Sequence, residues 1–152
     1  ELDWYLLDNP LHKKIQDWVK ELLHLYKKNR CLYELDSDWS GFEWINADDR
    51  DRSIFSFIRK TTEPDYRNSV GFVFNFTPVE RPDYVVGVPK AGTYKRIITT
   101  ETGDTEVVKY KAKKQEADGK PYRLEIPLRP LESVVFEFPK VIKKKAKTTK
   151  KK

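Results

Sequence analysis

The chain has one cysteine, no methionine and only two histidines in 152 residues. A single thiol, Cys31, cannot form an internal disulfide, which fits a reducing compartment. His12 and His24 stand twelve positions apart on what reads as one helix, too far to share a metal. Glycine is scarce, with six in all, and none belongs to a phosphate-cradling loop. No apolar run approaches the roughly 18 residues of a bilayer span and no signal peptide is visible, so no membrane partner and a cytoplasmic location are expected. With no Met and a first residue of Glu1, the chain is expected to be a fragment or processed piece whose chemistry lies upstream.

Basic charge is also scarcer than the net +6 implies. Eight lysines and no acid lie within 140–152, so the rest of the chain carries a net −2. The basic character belongs to the tail, and the body offers no nucleic-acid surface. The tail lacks interleaved aromatics or Arg, so 139–152 is expected to be a disordered, lysine-rich segment rather than a polyanion reader.

What the chain does have is aromatic mass: 13% of residues, including four Trp. The stretch Ser69-Val70-Gly71-Phe72-Val73-Phe74-Asn75-Phe76 organises the rest. Strand alternation puts Val70, Phe72, Phe74 and Phe76 on one face and Gly71, Val73 and Asn75 on the other. That pattern predicts a central strand covered on both sides and closed by Thr77-Pro78.

Before it, Asn9 has the character of an N-cap with Pro10 at the first helical position. Leu11, Ile15, Trp18, Val19, Leu22, Leu23 and Tyr26 then recur at three- and four-residue steps to about Asn29. This amphipathic helix has a stripe wide enough to lie against something large, and its phase puts Trp18 in a core. Residues 1–9 suit a helical turn.

Beyond Tyr33 the period is two. Strands are expected at Phe42–Asn46, Ser53–Arg59, Ser69–Phe76, Tyr84–Val88, Thr93–Thr100, Val107–Lys113, Tyr122–Leu128 and Ser133–Phe138, most separated by Pro, Gly or Asp-Gly breaks. The fold class is therefore mainly β: an antiparallel sandwich of about eight strands preceded by one amphipathic α-helix.

The chemistry-bearing patterns are thin. Asp36-Ser37-Asp38-Trp39-Ser40-Gly41 opens like a calcium loop, but its twelfth position is Ala47 where a bidentate Glu is required, so a turn is expected. Asp48, Asp49 and Asp51 alternate with Arg50 and Arg52 as in a self-neutralising loop. No nucleophile context is present, and Cys31 suits a buried helix end. Trp44 is expected to pack in its strand. Trp39 sits at a turn, where a large ring is expected to fold back onto the sheet; an exposed ring beside polar groups would instead suit the apolar face of a sugar.

Several segments carry a resemblance: Leu2-Asp3-Trp4 with Leu6-Leu7, Pro10-Leu11-His12, Leu32-Tyr33-Glu34-Leu35-Asp36, Gly41-Phe42-Glu43-Trp44-Ile45, Ser56-Phe57-Ile58-Arg59, Asn75-Phe76-Thr77-Pro78-Val79, Val86-Gly87-Val88-Pro89 and Gly119-Lys120-Pro121-Tyr122. In order and spacing, residues 1 to about 138 resemble the end of bacterial 1,4-α-glucan (glycogen) branching enzymes of glycoside hydrolase family 13. The resemblance implies that 1–30 are the final segment and last helix of a catalytic (β/α)8 barrel, and 31–138 a non-catalytic C-terminal β-sandwich. It implies α-glucan and the upstream barrel as partners, no cofactor, and catalytic carboxylates outside this chain, which should be inactive alone. If residues 1–9 follow the eighth barrel strand, Trp4 and Tyr5 would lie on the active-site face, the alternative being that Trp4 only packs between barrel and C-terminal domain; with Trp39 they are the substrate-binding candidates. Two departures stand out: Thr99-Thr100-Glu101-Thr102-Gly103 replaces an Asn-Thr-Asp stretch and a Gly-Gly loop, and the lysine tail has no counterpart. The alternative is a stand-alone carbohydrate-binding sandwich, which would have no need of the helix.

Overall fold

The computed structural model describes residues 3–100 and 106–140. A 3-10 turn at Trp4–Asp8 leads into α1, Pro10–Lys28. Asn9 Oδ1 accepts the Leu11 amide at 2.9 Å, and Pro10 takes the first helical position, where its missing N–H is no loss. The helix ends at Asn29, whose amide and Nδ2 both donate to the Leu25 carbonyl. Lys27 and Lys28 complement the dipole in the last turn.

Among the described residues eight strands follow, each on an expected run: β1 Phe42–Asp49, β2 Ile54–Arg59, β3 Val70–Asn75, β4 Val85–Val88, β5 Thr93–Thr99, β6 Lys109–Lys111, β7 Tyr122–Glu125 and β8 Ser133–Glu137. Six form one sheet in the order β1-β2-β3-β8-β5-β6, while β4 and β7 form a ribbon, and all their pairings are antiparallel. Val86, Val88 and Leu124 of the ribbon pack with Ile54, Ile58, Val73, Val134 and Phe136 of the sheet in one core. The result is a lopsided two-layer sandwich.

The central strand is β3, but its core face is not the one with the large residues. Gly71, Val73 and Asn75 are buried against the ribbon side, whereas Phe72 and Phe74 are half-buried and Phe76 is exposed. The reason lies on β8, which pairs Gly71 with Phe136. A Cβ on Gly71 would stand 2.3 Å from Phe136 Cζ, so the Phe136 ring occupies the space that a larger β3 residue would need. Cross-strand register then carries the aromatic set outward with Phe55 and Phe57 of β2 and Trp44 of β1. Phe72 and Phe74 stack at 6.1 Å with planes 4° apart, and Phe74 and Phe76 at 5.8 Å and 5°.

Two further expectations are corrected. Trp18 is half-buried rather than core, because α1 has no buried residue at all. Trp39 does not fold back; it is 89% exposed. Most of the departure at 99–103, and the tail from 141 on, lie outside the described residues.

Candidate functional site

The chain between α1 and β1 builds a fixed turn that carries an exposed tryptophan beside an open cleft. Arg30–Leu32 forms a 3-10 turn that drops Cys31 into a small cluster with Val70 and Val135. Burial pushes the Cys31 thiol up to about 11, so it is a packing group and not a nucleophile. Arg30 grips Glu34 through two nitrogens, and the Thr62 hydroxyl donates to Glu34 at 2.6 Å, which ties this turn to the end of β2.

Residues 35–41 then turn sharply. Gly41 permits the turn, since a Cβ there would stand 2.5 Å from both the Leu35 Cβ and its carbonyl oxygen. The Asp38 amide donates to the Leu35 carbonyl, the Gly41 amide to the Asp38 carbonyl, and the Lys60 amide to the Gly41 carbonyl. Asp38 caps the 3-10 turn Trp39–Gly41 by accepting the Ser40 amide at 2.7 Å. The Ser40 hydroxyl and amide hold the Asp38 carboxyl below the usual carboxylate range. Trp39 is thereby lifted clear of the sheet on a fixed backbone.

Beside it, Leu35, Asp36, Asp38, Phe42 and Arg59 line an open cleft of about 380 Å³. Arg59 donates to Asp36 Oδ1 at 2.9 Å from a side chain that is mostly buried, while Asp36 is mostly exposed. Arg59 Nε is buried and makes no hydrogen bond. An exposed indole with an acceptor and a donor at its side is the equipment for holding a neutral polyhydroxy ligand. In the sequence Asp36 stands out in the calcium-like stretch, and both Asp36 and Arg59 fall within segments of the resemblance, but neither is a binding candidate there. Their pairing spans 23 residues and two elements, so no local pattern announces it.

Trp4 and Tyr5 lie elsewhere. Both sit on the N-terminal 3-10 turn, 66% and 68% exposed. Trp4 lines an apolar hollow of about 410 Å³ with Leu6, Leu7, His12 and Ile15, and none of these residues borders the Trp39 cleft.

Two carboxylates of β1, Asp49 and Glu43, are committed to structure. Asp49 accepts the Tyr84 hydroxyl and Arg52 Nε, each at 2.9 Å, as befits a self-neutralising loop. Glu43 accepts Lys60 at 3.0 Å, the Tyr66 hydroxyl and Lys120, joining β1 to two distant turns. Among the described residues no group of three or more His, Cys, Asp or Glu is placed to hold a metal. No described helix is long and apolar enough to cross a membrane.

Comparison with known proteins extends these observations. The model of the family described as "Alpha amylase, C-terminal all-beta domain" matches residues 44–139. The 1,4-alpha-glucan branching enzyme GlgB of Butyrivibrio fibrisolvens is 44% identical over 91% of this chain, a region that is 22% of that protein. The 1,4-alpha-glucan branching enzyme GlgB 1 of Clostridium perfringens strain SM101 is 38% identical over 90% of the chain and 21% of its own length. That of Aquifex aeolicus is 38% identical over 89%, again 22% of its length. The chain thus spans about a fifth of the curated relatives it matches.

Proposed function

Because this chain belongs to the family of alpha amylase C-terminal all-beta domains, we propose that it is the non-catalytic C-terminal part of a 1,4-alpha-glucan branching enzyme. In that enzyme an α-1,4-glucan is cleaved, held as a glycosyl-enzyme and passed to a 6-hydroxyl to make an α-1,6 branch. Retaining chemistry of this kind uses two carboxylates roughly 5 Å apart around the scissile bond. Glu43, Asp49 and the buried Glu132, which accepts the Thr99 hydroxyl at 2.6 Å and the Arg129 amide at 2.7 Å, are occupied by structural partners, which suits a chain that leaves the chemistry to another part of the protein.

The observation that carries the reading is α1. None of its 19 residues is buried, and Leu11, Ile15, Val19, Leu22 and Leu23 are all exposed. A stripe of this width is shaped to be covered, and a self-sufficient sugar-binding sandwich would have no use for it. In this reading residues 1–30 complete the catalytic (β/α)8 barrel, and residues 31–138 are the sandwich that stabilises it. Trp4 and Tyr5 then fall on the barrel's loop face, where glucan passes.

The test is a branching assay on amylose, followed by iodine absorbance and by the chain-length profile after debranching. The full-length enzyme should branch and the 152-residue chain alone should not. Trp4→Ala in the full-length enzyme should alter the chain-length profile. Unaided branching by the 152-residue chain would overturn the reading, and an unaltered Trp4→Ala profile would remove Trp4 from the glucan path.

A further inference from the structure

We propose that the cleft between Trp39 and the Asp36–Arg59 pair is a surface subsite for an α-glucan chain, holding polymer without acting on it. The choice of ligand class rests on the branching-enzyme reading above; the existence of a sugar-shaped site rests on the cleft.

Three features single it out. The first is the ring. An indole 89% exposed has both faces open, and among the described residues no aromatic ring packs on it. The contrast with the outer sheet face is instructive. Phe72 and Phe74 each stack on neighbouring rings and are half-buried, so their faces are covered by other phenylalanines. A pyranose needs a ring face for its C–H surface, and Trp39 presents one where the stacked Phe72 and Phe74 do not.

The second feature is the polar pair. Vicinal sugar hydroxyls each donate and accept, and they are best met by an acceptor and a donor fixed side by side. Asp36 and Arg59 are held so by their 2.9 Å contact, with Asp36 mostly exposed at the rim and Arg59 rooted in the sheet. The third is rigidity. The caps by Asp38, the Gly41–Leu35 contact and the Lys60 amide fix the turn before any ligand arrives, so little ordering entropy is lost on binding.

The cleft is shallow and its lining mixed, which suits a repeating polymer held weakly at several points rather than a small molecule held tightly. An anionic ligand fits poorly, because Asp36 and Asp38 both line the cleft.

The test uses native electrophoresis of the 152-residue chain in gels with and without amylopectin, backed by tryptophan fluorescence on titration with maltoheptaose. The wild-type chain should be retarded. Trp39→Ala should weaken the apparent affinity about tenfold, the worth of one stacked ring, with an unchanged thermal midpoint; Trp39→Phe should recover part of it. Asp36→Asn should lie between, and cellohexaose should leave the fluorescence unmoved. Retardation of Trp39→Ala equal to wild type, or no retardation of either, overturns the subsite. So does a fall in thermal midpoint for Trp39→Ala in the full-length enzyme without a change in retardation, which would make Trp39 a docking residue between domains. The branching reading fails separately: a full-length wild-type protein retained through Trp39 but unable to branch amylose would sink that reading and leave the subsite standing.

Discussion

Helix α1 and the sandwich behind it treat apolar side chains in opposite ways. The sandwich closes on itself: Ile54, Ile58, Val86, Val88, Tyr94, Leu124 and Phe136 are all fully buried in one cluster. The helix has a well-phased stripe, a proper N-cap and a proper C-cap, yet none of its residues is fully buried. Local sequence rules suffice to make a helix; they do not supply the surface it packs on. The sandwich is therefore where stability resides, and the helix is where a partner is called for.

The sharpest way to break that contrast is to attack the sandwich at its tightest point. Phe136 is fully buried, meets Tyr94 at 5.8 Å and Phe138 at 6.2 Å, and lies across Gly71. Phe136→Ala should cost about 3–5 kcal/mol in urea-induced unfolding, through lost transfer energy and a cavity that β3 has no side chain to fill. A loss under about 1 kcal/mol would mean that the inner face is not the core.

A smaller effect is expected at Glu43, which ties β1 to Lys60, Lys120 and Tyr66. Glu43→Gln removes the negative charge and one of the two acceptor oxygens that meet the Lys60 and Lys120 ammonium groups, and should cost about 1–3 kcal/mol at neutral pH. Burial raises the Glu43 pKa, but the hydrogen bonds from Lys120 and Lys60 outweigh it and hold the folded-state value below the ordinary 4.5. A depressed carboxylate contributes stability that is fully present above 4.5 and is lost as pH falls through the lower folded value. Wild type should therefore lose stability faster than Glu43→Gln as pH falls below about 4.5, with the two curves parallel above it. Stability curves that stay parallel below it as well would remove Glu43 as a pH-dependent clip.

Much of this was legible in the sequence. Every strand falls on an alternating run, because turn residues such as Pro89, Gly92 and Pro130 punctuate the chain locally. What was not legible depends on partners far along the chain. The choice of core face on β3 is made by Phe136, whose pairing with Gly71 spans 65 residues. The exposure of Trp39 follows from the approach of Leu35 to Gly41 and from a cap, neither of which alternation encodes. Trp18 had the right helical phase, but phase states which residues share a face and not whether anything covers them.

The smallest expected effect bears most directly on the comparison. Leu23 is 55% exposed on α1, and glutamine has nearly the same helix propensity as leucine. In the 152-residue chain Leu23→Gln should change unfolding free energy by less than about 0.5 kcal/mol, as for any surface site. In a full-length branching enzyme the same change would remove an apolar side chain from an interface and add a buried amide, costing about 2–4 kcal/mol. The ratio of the two losses measures whether the stripe has a partner, independently of any assay for activity. Equal, small losses in both chains would leave α1 as an ordinary exposed helix and withdraw the main support for its place in a barrel.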